Sequence, residues 1–143
     1  MGRFVADAAI KNMIAVGQSP KKSKVVILGL TFKENCPDTR NSKVDDIIKR
    51  LNEFEIYPVI VDPWANECDA MHEYGVTLTK LENIKGADCI IVAVAHNEFK
   101  ALKLDDIKKL YRECADKEKV LLDVKGIYKV EELNKSGIKY WRL

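Results

Sequence analysis

No glycine-rich phosphate loop occurs in this sequence. Neither GxGxxG nor GxxxxGK(S/T) is found among its 143 residues, and only seven of those are glycine. A dinucleotide-binding half built on such a fingerprint is therefore excluded. Paired cysteines are also missing. Cys36, Cys68, Cys89 and Cys114 form no CxxC pair, and His72 and His96 are the only histidines. That is too sparse for a zinc site, so no metal ligand is assigned. No apolar run approaches the ~20 residues that span a membrane. A signal-peptide core is lacking at the N-terminus, so the expectation is a cytoplasmic protein with reduced thiols. Twenty-four basic against 22 acidic side chains leave a net charge of +2. That balance excludes a nucleic-acid arm, and any affinity for anions must come from local placement.

The residues present read as one α/β domain. Val5, Ala8, Ala9, Asn12, Met13 and Val16 fall on one stripe and predict a helix over residues 2–16. It begins abruptly at Met1, as though continuing a longer helix. A turn-rich basic stretch, Gly17 to Ser23, sets it apart from the remainder of the chain. Strands are expected at Val25–Leu30, Tyr57–Val61, Val76–Thr79, Asp88–Ala95, Val120–Val124 and Lys139–Arg142. The continuous apolar runs 25–28 and 89–94 suit strands covered on both faces. Between them, Val44, Ile47, Ile48, Leu51 and Phe54 form one amphipathic stripe; Leu104, Ile107, Leu110, Tyr111 and Cys114 form another. The alternation predicts a doubly wound, Rossmann-like three-layer α/β/α sandwich, with a mainly parallel sheet of five to six strands after one N-terminal helix.

Ligands of such sheets bind beyond the carboxyl ends of the strands. The segment Thr31 to Ser42, after the first strand, has twelve residues, where about two to six is usual, and long loops are more often functional. Ser42 followed by Asp45 resembles a capping box, which would turn a positive helix end toward this loop. Lys33 and Arg40 add cationic side chains that suit a phosphate or carboxylate. The alternative is a solvated Lys33 and an Arg40 paired with Asp38 or Asp45.

The wording Gly29-Leu30-Thr31-Phe32-Lys33-x-x-x-x-Asp38-x-Arg40-x-Ser42 resembles the signature of the C-terminal domain of UDP-glucose/GDP-mannose dehydrogenases. The likeness continues in Val61-Asp62-Pro63-Trp64, in Ala87–His96 and in Leu122-Asp123-Val124-Lys125-Gly126, and it covers residues 24 to 143. Its phrasing is closest to the UDP-N-acetylhexosamine branch. The resemblance implies an NAD-dependent enzyme that oxidises the sugar C6 alcohol of a nucleotide sugar to a carboxylate in two steps. Residues 1–18 would be the end of a central dimerisation helix and its linker; residues 19–143 would be the UDP-sugar-binding domain. Phe32, Lys33 and Lys125 would contact substrate, Lys125 standing where the family usually has arginine. Arg40 would reach toward NAD held mainly by another domain of the parent enzyme. No cysteine here has the glycine-rich context of the family's nucleophile, so this chain is expected to bind and not to oxidise.

Asp62 could hold a ribose hydroxyl and Trp64 could stack on a base; a turn with a capping Asp is the competing reading. His96 either approaches the ligand or merely ends a strand. Cys36 reads as a loop-packing thiol, Cys89 as core and His72 as surface. Two rival classes stand beside the nucleotide-sugar reading. A phosphoacceptor receiver domain would need acids after the first strand, where Thr-Phe-Lys stands. A non-catalytic interaction or dimerisation domain would bind no nucleotide.

Overall fold

The computed structural model describes residues 2–143. Met1, included in the expected opening segment, lies outside them. The elements run α1 (Gly2–Ala15), β1 (Val25–Leu28), α2 (Val44–Glu53), β2 (Val59–Val61), α3 (Glu67–Tyr74), β3 (Cys89–Val92), α4 (Asn97–Lys100), α5 (Leu104–Lys108), β4 (Val120–Asp123), α6 (Val130–Ser136) and β5 (Lys139–Arg142). All strand pairs are parallel, and the order across the sheet is β2-β1-β3-β4-β5. Every residue of β1, β3 and β4 is buried, as apolar runs require for all of them but Asp123, the acid that ends β4.

Alternation along the strands makes two cores. Val25, Ile27, Cys89, Ile91, Val120 and Leu122 face α1, α2 and Ala70 of α3. Val26, Leu28, Ile90, Val92 and Leu121 face Phe99, Ile107 and Leu133 of α4, α5 and α6. The expected three-layer sandwich is thus present, with five strands. Among the described residues no helix is long and apolar enough to cross a membrane.

Three local expectations fail. Residues 76–79 make only a single bridge, Leu78 to Ile60, and no sixth strand. The stripe from Leu104 to Cys114 is helical only to Lys108. Beyond it, Leu110 accepts from the Ala87 amide and Arg112 donates to the Ala87 carbonyl, so this backbone finds its partners on another segment. Buried Tyr111 then donates its hydroxyl to the Val120 carbonyl. Finally, α1 does not stand apart. Val5, Ala6, Ala9 and Met13 are buried in the first core, the larger side chains gaining about 2 kcal/mol each from burial. Gly2 of α1 sits so close to the first turn of α2 that an added Cβ would lie 3.1 Å from the Ile47 nitrogen.

The chain reverses direction in strand order between β1 and β3, so the loops after these strands diverge and leave a crevice. Two devices shape its floor. Gly29 has φ +111, and a Cβ there would meet the Val94 Cβ at 2.5 Å; only glycine lets the end of β1 lie this close to the end of β3. Asp62, at the end of β2, is the second. Its Oδ2 accepts from the Leu30 and Thr31 amides at 2.6 and 3.0 Å, and its Oδ1 from the Trp64 and Ala65 amides at 2.8 and 3.1 Å. His96 Nε2 adds a fifth contact at 3.0 Å to Oδ2, and both side chains are fully buried.

Burial pushes the Asp62 carboxyl up, but the His96 hydrogen bond and the Leu30 and Thr31 amides outweigh it, and the net direction is below the usual carboxylate value. A carboxyl with a lowered folded pKa adds stability above its unfolded pKa of about 3.9 and loses it as pH falls through the folded value. Melting curves from pH 6 downward should therefore show a loss of stability beginning near the unfolded value. Asp62→Asn should flatten that loss and cost about 3 kcal/mol at neutral pH, because a neutral amide cannot accept from all five donors. Gly29→Ala should cost about 3 kcal/mol by urea titration, combining left-handed backbone strain with the Val94 clash.

Candidate functional site

The loop from Thr31 to Ser42 is an ordered strap held at four places. Its base hangs on Asp62 through the Leu30 and Thr31 amides. Its neck is closed by the Phe32 amide donating to the Asp38 carbonyl at 2.8 Å. On one flank, the Asn35 amide donates to His96 Nδ1 at 2.9 Å, and Asn35 Oδ1 accepts from the Asn97 amide at 2.9 Å. On the other, Tyr74 of α3 donates its hydroxyl to the Thr39 carbonyl and accepts from the Ser42 amide. Two asparagines, Asn35 at φ 53 and Asn41 at φ 57, take the left-handed corners that this path demands.

The anchors leave a few side chains free for display. Phe32 is 53% exposed despite being a large apolar ring. Lys33 is exposed beside it, and among the described residues no carboxylate pairs with it. Arg40 is different. Its Nε and Nη2 fork onto Asp38 at 3.1 and 3.2 Å, and its amide donates to the same carboxylate at 2.9 Å. The Arg40 side chain and amide hold the Asp38 carboxyl below its usual range. Such an exposed pair is weak, so a stronger anion can take Arg40 from it.

Lys125 is exposed in the loop after β4, on the same carboxyl edge of the sheet. β3 lies between β1 and β4, so the Lys33 and Lys125 loops leave the sheet about 10 Å apart. The Lys125 loop is built on another buried acid. Asp123 accepts from the Ile127 and Tyr128 amides at 3.0 and 2.9 Å. Arg142, at the end of β5, lays its guanidinium against Gly126, where a Cβ would fall 2.6 Å from Nη2. The sequence marks this arginine only as the last residue of a strand. The structure adds it as a second cation at the Lys125 loop.

The helix end expected at Ser42 is not an open anion cradle. α2 begins at Val44, whose amide donates to Ser42 Oγ at 3.2 Å, while the hydroxyl itself donates to the Leu30 carbonyl. Asp45 pairs with Lys49 at 2.9 Å and does not close a capping box. With Gly2 packed on this turn, any anion affinity rests on the side chains of the loops. The loop after β1 also lacks the glycine-rich turn of a pyrophosphate site. The β1 loop has one glycine, Gly29, and no free helix start to meet a pyrophosphate.

A cavity of about 350 Å³ opens elsewhere, beside the carboxyl end of β2. Its walls include Pro63, Leu78, Leu81 and Phe99, with Glu67 and Glu98 among them. Neither Phe32, Lys33, Arg40 nor Lys125 lines it. Lys80 lines it beside these acids, so its charge is mixed.

The remaining expectations resolve simply. The four amides that Asp62 accepts from all belong to the backbone, so the capping reading holds for it. Trp64 is partly exposed, donates to Glu98 at 2.9 Å and stacks on His96 with centroids 6.1 Å apart. His72 and Cys68 are exposed on α3, and Cys36 is half-buried in the strap. Cys89 is buried in the core, where desolvation, then the neighbouring Asp88, pushes its thiol far up, away from reactivity. Among the described residues no cluster of metal-ligating side chains occurs.

Comparison with known proteins gives this arrangement its kin. The sequence model of the UDP-glucose/GDP-mannose dehydrogenase family, UDP binding domain, matches residues 26–130. A UDP-N-acetyl-D-glucosamine 6-dehydrogenase from Pseudomonas aeruginosa is 43% identical over 125 residues, 87% of this chain and 29% of that protein. A UDP-N-acetyl-D-mannosamine dehydrogenase from Methanococcus vannielii is 37% identical over 120 residues, 83% of this chain and 26% of that protein. In structure, an NDP-N-acetyl-D-galactosaminuronic acid dehydrogenase from Methanosarcina mazei shares the fold, with a TM-score of 0.84 and 22% identity over 99% of this chain and 28% of that one. The chain thus spans less than a third of the length of these proteins. On the match of residues 26–130 and the identity to these relatives, the chain belongs to the UDP-glucose/GDP-mannose dehydrogenase family, as its UDP binding domain.

Proposed function

We propose that this chain is the C-terminal, nucleotide-sugar-binding part of a UDP-sugar 6-dehydrogenase of the UDP-N-acetylhexosamine branch. The observation that carries this reading is the strap itself: an exposed aromatic ring and an unpaired lysine, Phe32 and Lys33, held at the switch point of the sheet. A ring beside a cation suits a base or sugar joined to a diphosphate. Lys125, on a loop that leaves the sheet about 10 Å away across β3, takes the far end of the same ligand. Arg142, on Gly126, supplies a planar fork beside a lysine that has none.

The parent enzyme, in this reading, oxidises the C6 alcohol of the sugar to a carboxylate with NAD as acceptor. NAD is held mainly by another domain, and Arg40 turns from Asp38 toward it. The segment 1–18 continues a central helix through which the parent forms a homodimer, and residues 19–143 form the substrate domain. The setting is cytoplasmic synthesis of a surface polysaccharide. This chain's own residues bind and orient the nucleotide sugar; its four thiols lack the glycine-rich context of the family's nucleophile.

Thermal unfolding with separate additions of UDP and NAD tests this. UDP at a hundred times its dissociation constant should stabilise the chain by about 2.7 kcal/mol, a rise in Tm of about 8 °C. Lys33→Ala should bind UDP about tenfold more weakly through loss of one charge-assisted contact. NAD alone should move the curve little. An unmoved curve at millimolar UDP would favour the interaction-domain reading. With a UDP-sugar and NAD together, the chain alone should yield no absorbance from reduced cofactor.

A further inference from the structure

We propose that His96 is a positioning residue for the nucleotide-sugar loop, its neutral ring locking the Phe32–Lys33 turn to the sheet through the Asn35 amide. The role rests on the nucleotide-sugar reading of this loop. His96 precedes α4, yet its side chain caps no amide of that helix. The Asn97 amide is taken by Asn35 Oδ1, a residue of the strap. The ring instead serves other segments.

Its two nitrogens have opposite tasks. Nδ1 faces the Asn35 N–H at 2.9 Å, and only an unprotonated nitrogen can accept there. Nε2 therefore carries the proton and donates to Asp62 Oδ2 at 3.0 Å, with Thr31 Oγ1 at 3.2 Å. The Thr31 hydroxyl in turn donates to the Lys33 carbonyl at 3.0 Å. One buried imidazole thus grips the strap at two points, at the Lys33 carbonyl through Thr31 and at the Asn35 amide directly. Trp64 and Phe99 pack against the ring, with centroids at 6.1 and 5.5 Å, and fix its plane. Asn35 sits in a left-handed conformation and needs this hold to keep the corner. A loop ordered before its ligand arrives loses less entropy on binding, and affinity rises accordingly.

Two isosteric substitutions separate the nitrogens. His96→Gln keeps a donor toward Asp62 and removes the acceptor for Asn35; His96→Asn keeps an acceptor near the Nδ1 position. Amide hydrogen exchange at residues 32–35 and UDP titration calorimetry are read on the wild-type chain and both variants. His96→Gln should speed exchange at Asn35 and weaken UDP about tenfold, the worth of one buried hydrogen bond. His96→Asn should recover most of both losses. Wild-type exchange and affinity in His96→Gln would overturn the proposal, as would a His96→Asn variant no better than His96→Gln. Nitrogen-15 NMR of the wild-type ring adds a test that needs no variant: protonation at Nε2 is expected, and a ring protonated at Nδ1 overturns the lock. Should the wild-type chain ignore UDP, the nucleotide reading and the substrate role fall together. The exchange and ring measurements then still decide whether His96 holds the strap.

Discussion

At the carboxyl end of a parallel sheet, strands stop together and their last amides lose their ladder partners. Here those of Leu30 and Thr31 point into a buried corner where water cannot serve them, and leaving them unpaired would cost several kcal/mol. The Asp62 carboxylate takes both, and it takes the Trp64 and Ala65 amides with its other oxygen. A single acid so holds the exits of β1 and β2 in one arrangement. Its own charge is tolerated in the interior only because five donors surround it. Everything the loop displays depends on that knot.

The resulting division of labour is chemical. Groups that shape the crevice are buried and saturated: Asp62, His96, Thr31, Ser42 and Asp123. Groups proposed to meet a ligand are exposed: Phe32, Lys33 and Lys125. Arg40 stands between, engaged by Asp38 in a bond weak enough to exchange. At the helix start that often binds phosphate in α/β sheets, Gly2 of α1 packs against the first turn and Ser42 Oγ takes the Val44 amide, so the proposed anion affinity rests on cationic side chains of ordered loops.

Much of this was legible in one sequence, for identifiable reasons. Runs such as Cys89–Val92 are apolar without break, and burial on both faces leaves no other assignment. The stripe of Val44, Ile47, Ile48 and Leu51 marks α2 equally well. Phe32 and Lys33 stand out through an overlong loop and a family likeness. Partners far along the chain were not legible. Nothing local says that residues 109–112 pair with Ala87 and leave the helix, or that Gly2 covers the start of α2. His96 and Asp62 are 34 residues apart, and Asn35 lies 61 residues before His96. Each reads alone as a cap or a strand end; only the fold shows one hydrogen-bonded unit.

Backbone chemical-shift mapping during a UDP titration tests the central claim most directly, because it locates the ligand on the chain. Binding at the carboxyl edge should move the amides of Phe32, Lys33, Lys125 and Gly126 together and saturably. Shifts confined to the cavity lined by Pro63, Leu78 and Glu98, or to the outer face of α1, would contradict it.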